Sequence, residues 1–261
     1  MKFEQVRFAG QSFCRQTDIF RFTEIFSRCM QGLSRVYAAP QESIMTKSAR
    51  APEEVARVRD GILNKALSII VQEGFPGLTM RRLAEATEMT ATNLYNYFSN
   101  KDEIYLHLVI MGFEKLHAEL QAAYRSSDDP VAHGRAMIDA YFRFGLENPQ
   151  YYDIMFSFPT PKFDDYKGTA LEHTAALEME AAVRVVDLVM QAIREGIPSA
   201  MTSRRTLQNR LVELWSLLHG MITLRRSRIL EYVDPDLDKR YRAVVDELIA
   251  RMLERPGGRQ E

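Results

Sequence analysis

Apolar side chains recur three and four residues apart along most of the chain, which is the spacing of one face of an α-helix. One such stripe runs through Val58, Ile62, Ala66, Ile69 and Ile70. Alternating runs of β-branched residues between turns, the pattern of half-buried strands, are missing from the sequence. The sequence therefore predicts an all-α fold.

Glycine, proline and small polar residues divide this pattern into successive helices. The glycines and the proline at 74–77 are predicted to end the first helix, and Thr79 and Thr90 to cap two short helices. Ser99 is predicted to cap a longer helix, because two acidic residues follow it at the positive end of that helix. The later segments are predicted as helices over residues 131–147, 170–195, 203–230 and 235–254, a short aromatic piece over 151–158 and a loop over 159–168.

Residues 1–48 stand apart, because their dense apolar side chains precede the first clearly patterned helix. One interpretation is an extra helical arm over residues 17–37 that packs on a partner subunit. The other is an extension from an upstream start, with Met45 as the working start and residues 1–44 outside the functional protein. The sequence leaves both open, and it predicts a flexible tail at residues 255–261.

The composition is that of an ordinary globular chain, with 46% hydrophobic and 26% charged residues. No apolar run approaches the roughly 18–20 residues that span a bilayer, and the first residues lack the apolar block of a secretory signal. The two cysteines, Cys14 and Cys29, belong to no metal-binding or redox motif. A cytoplasmic protein without a membrane partner is expected.

The net charge of −1 does not indicate nucleic-acid binding, but the charge is unevenly distributed. Residues 46–101 contain eight basic and six acidic side chains, so this stretch is mildly positive. That balance permits DNA binding without predicting it.

Residues 79–98 contain a helix, a tight break and a second short helix, the size and spacing of a helix-turn-helix. Two helices that cross closely need small and apolar residues between them, and the sequence supplies Leu83, Ala84, Met89 and Leu94. The second helix must present small polar side chains at its N-terminal end, where base edges of the major groove are within reach. The predicted base-reading residues are Ala91, Thr92 and Asn93.

Side chains able to bind DNA phosphates surround the same segment. The predicted phosphate contacts are Thr79, Arg81, Arg82, Thr90, Tyr95, Tyr97 and Lys101. The predicted partner is a double-stranded DNA operator, with Arg50 or other residues of the N-terminal arm as supplementary contacts in the minor groove.

These residues resemble the tetracycline-repressor (TetR) family of bacterial transcription regulators. The resemblance rests on Leu83-Ala84 in the first helix, Leu94-Tyr95 in the recognition helix, Tyr97-Phe98 after it and Lys101–Ile104 at the start of the next helix. It covers residues 58–105, and the rest of the chain is similar to the family in helical plan. Glu88 departs from the pattern, because the family usually has glycine in this turn and a left-handed non-glycine residue costs roughly 1 kcal/mol.

The resemblance implies a three-helix DNA-binding domain at residues 49–104 and a helical ligand-binding and dimerisation domain at residues 105–254. It further implies a homodimeric regulator, a repressor that a small apolar or aromatic effector releases from DNA. The alternative is an all-helical scaffold whose helix-turn-helix binds another protein. Salt-dependent binding to DNA would separate the two.

The last two predicted helices are apolar on more than one side, which indicates packing partners on two sides. The predicted dimer interface consists of Leu214, Leu218, Met221, Ile222, Tyr241, Val245, Leu248 and Met252. The alternative is that both helices belong to the core of one subunit. Gly220 would allow two helices to approach closely.

Aromatic and methionine residues are dense between residues 141 and 158, and such side chains form adaptable apolar walls. The predicted ligand pocket consists of Tyr141, Phe144, Tyr152, Met155, Phe156, Trp215 and His219. Ordinary core packing is the alternative for each residue taken singly.

The sequence contains no pattern of catalysis or metal binding. Its five histidines lack the spacing of metal ligands, and GxSxG, GxGxxG and P-loop motifs do not occur. We therefore expect neither an enzyme nor a bound metal or cofactor.

Overall fold

A computed structural model describes residues 51–158, 160–232 and 236–253 of the chain. The interpretations of residues 1–48, of Arg50 and of residues 255–261 lie outside these described residues. Every regular element within them is helical and none is a strand, which confirms the all-α fold. The α-helices are α1 (Pro52–Gly77), α2 (Met80–Ala86), α3 (Ala91–Leu94), α4 (Lys101–Tyr124), α5 (Pro130–Glu147), α6 (Pro149–Tyr152), α7 (Glu172–Gly196), α8 (Arg204–Ser227) and α9 (Leu237–Leu253).

Helix α1 packs its predicted stripe inward and turns sharply near its end. Ile62, Ala66 and Ile70 are almost completely buried. Gly74 has a φ of 74°, which glycine adopts without the steric cost that a side chain would bring. The kink at Gly74 lets the chain turn before α2, and Leu78 is fully buried between the two helices.

The short helices α2 and α3 begin at the two predicted threonine caps. The Thr79 hydroxyl oxygen accepts a hydrogen bond from the backbone N–H of Arg82 at 3.1 Å, and Thr90 accepts one from Asn93 at 3.2 Å. These bonds satisfy backbone donors that the first turn of a helix leaves without partners. Leu83 and Leu94 are fully buried between the helices, as their predicted packing role requires.

The cap of α4 differs from the sequence prediction. Asn100, and not Ser99, is the N-cap, because its side-chain oxygen accepts from the backbone N–H of Glu103 at 2.9 Å. Ser99 instead donates to the Glu103 carboxylate, from its backbone N–H at 2.6 Å and its hydroxyl at 2.8 Å. The Glu103 side chain thus reaches back over the start of α4, and Ser99 and Asn100 share the capping role.

Helix α4 leads from the N-terminal helices into a bundle, where it packs against α5 and α7. The segment between α5 and α7 contains α6, a π-helical turn (Asp153–Ser157) and a 3-10 turn (Phe163–Tyr166). Helix α8 ends at Ser227, earlier than predicted, because Arg228 adopts a left-handed φ of 59°. Among the described residues, no helix has the length and apolar character that crossing a membrane requires.

Candidate nucleic-acid interface and ligand cavity

The turn between α2 and α3 has a left-handed residue at Glu88, the position where the sequence departs from the glycine of the family pattern. Glu88 has a φ of 55°, and its N–H donates to the Glu85 carbonyl at 3.2 Å. The N–H of Met89 donates to the Ala84 carbonyl at 2.9 Å. This pair of bonds is a Schellman motif, which normally places glycine at the left-handed position. The fold therefore accepts a strained residue here while satisfying the last carbonyls of α2.

The three predicted base-reading residues lie together in the first turn of α3. Ala91 and Thr92 are exposed, and Asn93 is half-buried. The Asn93 side-chain oxygen lies 3.5 Å from the amide nitrogen of Asn96, at the outer limit of a hydrogen bond. Asn93 thus keeps hydrogen-bonding capacity for another partner. The start of α3 presents two small side chains and one amide, with no charged group among the three.

The predicted phosphate contacts around α3 differ in their exposure and in the partners they already have. Thr79, Arg81, Thr90 and Tyr95 are exposed, and Tyr95 has 54% of its surface open although it is aromatic. The Arg82 guanidinium pairs with Glu73 at 3.1 Å, so binding a phosphate means giving up this partner. Tyr97 is 8% exposed, which makes its ring a packing residue first.

Lys101 has a second role besides the predicted phosphate contact. Its ammonium lies 4.5 Å from the centre of the Phe75 ring, a distance at which a cation is attracted to the ring face. Phe75 in turn packs edge-on against Tyr105 of α4. Lys101 therefore also links the end of α1 to the beginning of α4.

Arg59 of α1 joins the helix-turn-helix to α4 and was not among the predicted site residues. Its guanidinium donates to the Tyr97 carbonyl, stacks 4.1 Å from the centre of the Phe98 ring and lies 3.1 Å from His107 Nε2. A guanidinium only donates, so His107 Nε2 is the acceptor. Burial lowers the pKa of His107, and the Arg59 charge lowers it further. Because these partners are 38 and 48 residues from Arg59, no local pattern could have indicated the role.

A cavity of about 100 Å³ lies within the helical bundle. Its walls come from α5, α7, α8 and α9, with Leu120 of α4. Representative lining residues are Ile138, Val185, Val189, Leu211, Ile249 and Met252. Of the predicted pocket residues, Tyr141 and Trp215 line this cavity. The walls are therefore more aliphatic than the sequence predicted.

The other predicted pocket residues do not line this cavity, and their role in ligand binding stays a prediction. They are Phe144, Tyr152, Met155, Phe156 and His219. Phe144 is fully buried and Tyr152 is 2% exposed. The π-helical turn carries Met155 and Phe156 toward α4 and α8, where Met155 contacts Gly112 and Phe156 packs on Trp215. Core packing, the alternative weighed from the sequence, describes Phe144, Tyr152 and Met155, whereas Phe156 is half-buried against the core and His219 is held by hydrogen bonds.

A chain of hydrogen bonds connects the cavity wall to this core. Trp215 Nε1 donates to the Tyr141 hydroxyl oxygen at 2.7 Å, and that hydroxyl lies 3.0 Å from His219 Nε2. His219 Nδ1 is hydrogen-bonded to the Tyr152 hydroxyl. Every group is satisfied when Tyr141 donates to Nε2 and Nδ1–H donates to Tyr152. Burial lowers the pKa of His219 to about 4, so the imidazole is neutral at pH 7.

A second polar cluster lies where α4 meets α7 and the 158–171 segment. The Tyr105 hydroxyl donates to the Ile154 carbonyl at 3.0 Å and is hydrogen-bonded to Thr160. Burial raises the pKa of the nearby Glu178 carboxyl to about 7, while Lys162 acts in the opposite direction. The buried Tyr166 hydroxyl has no hydrogen-bond partner among the described residues. This cluster places the Glu178 carboxyl, whose pKa is raised to about 7, beside α4, the helix that follows the helix-turn-helix.

The eight predicted interface residues of α8 and α9 are all in the core of the single chain. Leu214, Leu218, Met221, Ile222, Tyr241, Val245, Leu248 and Met252 are each at most 8% exposed. The chain itself covers these side chains almost completely, which fits the alternative that both helices belong to the core of one subunit, and their role in a dimer interface stays a prediction. Helix α8 packs against α5 and α7 as well as against α9, and Phe142 of α5 packs on Tyr241 of α9.

A helix-turn-helix joined to a helical bundle that contains an apolar cavity is the architecture of a helix-turn-helix transcription regulator. A family model described as "Bacterial regulatory proteins, tetR family" matches residues 62–108. A second, described as "Tetracyclin repressor-like, C-terminal domain", matches residues 135–248. The chain belongs to the TetR family of DNA-binding transcription regulators.

Individual relatives agree with this assignment. The chain is 24% identical over 220 residues to an uncharacterized HTH-type transcriptional regulator of Mycobacterium tuberculosis, covering 82% of this chain and 90% of that one. It is 28% identical over 98 residues to the HTH-type transcriptional activator FasR of Mycolicibacterium smegmatis, covering 38% and 45%. The crystal structure of the TetR family regulator PfmR from Thermus thermophilus is 22% identical, with a TM-score of 0.53 over 74% of this chain and 99% of that one. The last likeness establishes the fold.

Among the described residues, no group of three or more histidine, cysteine, aspartate or glutamate side chains is placed to hold a metal ion. The expectation that the protein binds no metal or cofactor and catalyses no reaction stays a prediction.

Proposed function

We propose that the chain acts as a homodimer that binds an operator through α3 and leaves it when a small apolar effector occupies the bundle cavity. The DNA-binding domain would be residues 49–104 and the ligand-binding and dimerisation domain residues 105–254. The observation that carries the proposal is the first turn of α3, where Ala91 and Thr92 are exposed and Asn93 is half-buried, beside the exposed side chains of Thr90 and Tyr95. Repression is the proposed direction of regulation.

The hydrogen-bonding and apolar groups of Ala91, Thr92 and Asn93, which we call the reading surface, support these assignments. An asparagine amide pairs with the N6 and N7 edge of adenine, and a threonine methyl packs on the thymine methyl. Small side chains at the start of α3 let the backbone approach the floor of the major groove. Thr90 and Tyr95 border this surface and are exposed, so they are free to bind the flanking phosphates.

A different face of α8 supports the homodimer. Val212 and Leu224 are 40% and 41% exposed, and Ser216 and Gly220 lie between them at intervals of four residues. A side-chain carbon added at Gly220 would have no neighbour within 4 Å. Glycine inside a helix costs roughly 0.5–1 kcal/mol relative to alanine. The packing of one chain therefore gives no reason for glycine here, whereas a partner helix crossing at this point does.

The effector mechanism depends on the helix that connects the two regions. Helix α4 carries the Lys101 and His107 contacts to α1 at one end and Leu120 of the cavity wall at the other. A ligand that binds better to a cavity with a displaced α4 would shift the population toward that state. Two α3 helices spaced about 34–36 Å apart fit successive major grooves, and a changed spacing would release DNA.

DNA binding is tested by a salt series on fragments selected from a genomic pool. The apparent affinity should fall steeply with salt concentration, since each neutralised phosphate releases counterions. Lys101→Ala should weaken binding to all sequences and reduce the salt slope by about one. Lys115→Ala, an exposed lysine on the same helix far from α3, is the control and should change neither. Binding that does not depend on salt would instead favour the scaffold alternative.

The dimer is tested by the molar mass of two glycine variants in solution. Gly220→Arg should reduce the mass from that of a dimer to that of a monomer. Gly61→Arg, at another helical glycine with open space around it, should leave the mass unchanged. A monomeric wild-type protein, or equal effects of the two variants, would contradict the proposed interface.

A further inference from the structure

One charged side chain lies at the edge of the apolar cavity. Arg135 lines the cavity and still has 43% of its side chain exposed, so it connects the cavity wall with the solvent. Among the described lining residues it is the one that carries a charge, and Tyr141 and Trp215 are the others with side-chain polar groups. An apolar interior with a single cation at its edge is an asymmetric site.

The guanidinium is held by a contact that another anion can replace. Arg135 of α5 forms an ion pair with Asp246 of α9, which does not line the cavity and has a 55% exposed side chain. An ion pair this open to water contributes little to stability. Guanidinium binds carboxylates in a two-pronged geometry, so a carboxylate arriving from the cavity would be a full substitute for Asp246.

The interior sets the shape of the remainder of the ligand. Its walls near α7 consist of Val185, Val186 and Val189, and its volume is about 100 Å³. An engineered apolar cavity of about 150 Å³ binds benzene, so this smaller space holds the end of an alkyl chain, and the rest of the chain would lie in the opening toward the solvent beside Arg135. A charge inside these walls would have no partner, which places any polar end of the ligand at the edge.

We propose that the effector is an anionic amphiphile, with an alkyl chain in the cavity and a carboxylate on Arg135. This inference rests on the proposed effector function and adds the chemical class of the molecule. Binding exchanges the Arg135–Asp246 pair, which ties α5 to α9, for a contact between α5 and the ligand. The ligand thereby acts directly on the packing of α9 against the cavity.

The test uses octanoate and octan-1-ol, which share a chain and differ in the charged end. Trp215 is the single tryptophan of the chain and lines the cavity, so its fluorescence reports occupancy. In the full-length protein, octanoate should bind about tenfold more tightly than octan-1-ol, since hydrogen bonds between charged partners are worth more than neutral ones.

Three variants assign this difference to the ion pair. Arg135→Gln should remove the preference for octanoate while leaving octan-1-ol affinity within twofold. Arg143→Gln, an exposed arginine two turns further along α5 and outside the cavity lining, should retain the preference. Asp246→Asn should tighten octanoate binding severalfold, because the competing carboxylate is gone. This result keeps the proposal testable even if the Arg135→Gln variant does not fold.

The outcomes separate this inference from the function on which it rests. Equal affinities for octanoate and octan-1-ol, equal losses in Arg135→Gln and Arg143→Gln, or no binding of either compound would each overturn the anionic class. Operator binding measured in the same titrations tests the proposed function. If octanoate binds through Arg135 and the operator affinity does not change, the effector mechanism fails while the ligand assignment stands.

Discussion

The recognition helix and the bundle cavity are assembled in opposite ways. The reading surface consists of neighbours in sequence, and two threonine caps and one left-handed turn position it. The cavity draws its lining from residues 120 to 253 on five helices, and contacts between helices position it, mostly by packing and in part by the hydrogen bond of Trp215 to Tyr141. Side chains that touch DNA must be exposed, whereas side chains that shape a cavity must be buried.

This difference has a consequence for substitutions. At the reading surface, a changed side chain should alter binding and leave folding almost untouched. In the bundle, a changed side chain should alter folding first, because most of the lining residues are also core residues. Substitutions in both regions test whether binding or folding is affected first, and the following ones run from the largest expected effect to the smallest.

Removing an aromatic ring should strongly reduce stability in the bundle and hardly change it at the reading surface. Phe144→Ala leaves a cavity at a fully buried position and should reduce the free energy of unfolding by about 3–5 kcal/mol. Tyr95→Ala, at a ring that is 54% exposed, should change stability by less than about 0.5 kcal/mol. Urea unfolding of both variants checks the contrast, and similar losses of stability would break it.

Glu178 offers a test of burial that depends on pH. Its pKa is raised from 4.5 to about 7 in the folded chain, so the folded state holds the proton more tightly than the unfolded state. The carboxyl therefore costs stability increasingly as the pH rises from about 4.5 to 7, and the cost is constant above that window. Glu178→Gln should raise the free energy of unfolding at pH 8 by about 1–3 kcal/mol and have little effect at pH 4.

The measurement is the unfolding free energy of the Glu178 variant across this pH range. Glu180→Gln, an exposed carboxyl on the same helix, is the control and should show no comparable gain. A Glu178 variant whose stability follows that of the wild type at every pH would show that this carboxyl is solvated like a surface group.

Asn93→Ala addresses the reading surface directly. It should reduce affinity for the selected operator by about 1–3 kcal/mol and relax the preference at one base pair. Asn209→Ala, an exposed asparagine on α8, should change neither quantity. Quantitative binding to a panel of single-base operator variants is the measurement. An affinity loss that is uniform across the panel would make Asn93 a phosphate contact or a structural residue.

Glu88→Gly is expected to have the smallest effect. Glycine removes the left-handed strain at a φ of 55° and should stabilise the chain by up to about 1 kcal/mol. Glu88→Ala keeps the strain and removes only the carboxylate, so it should not stabilise. Thermal unfolding distinguishes the two, and equal melting temperatures would mean that the turn carries no strain.

The helix-turn-helix was largely predictable because its determinants are local. Thr79 and Thr90 cap helices that begin directly after them, and Glu88 occupies a position fixed by a turn of a few residues. The shared cap of α4 was missed because Ser99 and Asn100 are both good caps, and only the backbone geometry selects between them.

The bundle was predictable in its helices and not in its cavity. An apolar stripe indicates that a face is buried, but it does not tell what covers it. Leu218 and Leu248, predicted at the interface, and Phe144, predicted in the pocket, are all buried by their own chain, and the stripe alone does not distinguish these roles. Arg59 and Arg135 act through partners far away in sequence, which no local pattern reveals.

Two copies of the α3 surface are proposed to read DNA together. The measurement that tests this is selection of bound sequences from a random duplex pool with the full-length protein. We expect enrichment of a two-fold symmetric site whose half-sites lie about one helical turn, 34–36 Å, or a multiple of it apart. Recovery of no common sequence, or of a single unpaired half-site, would contradict it.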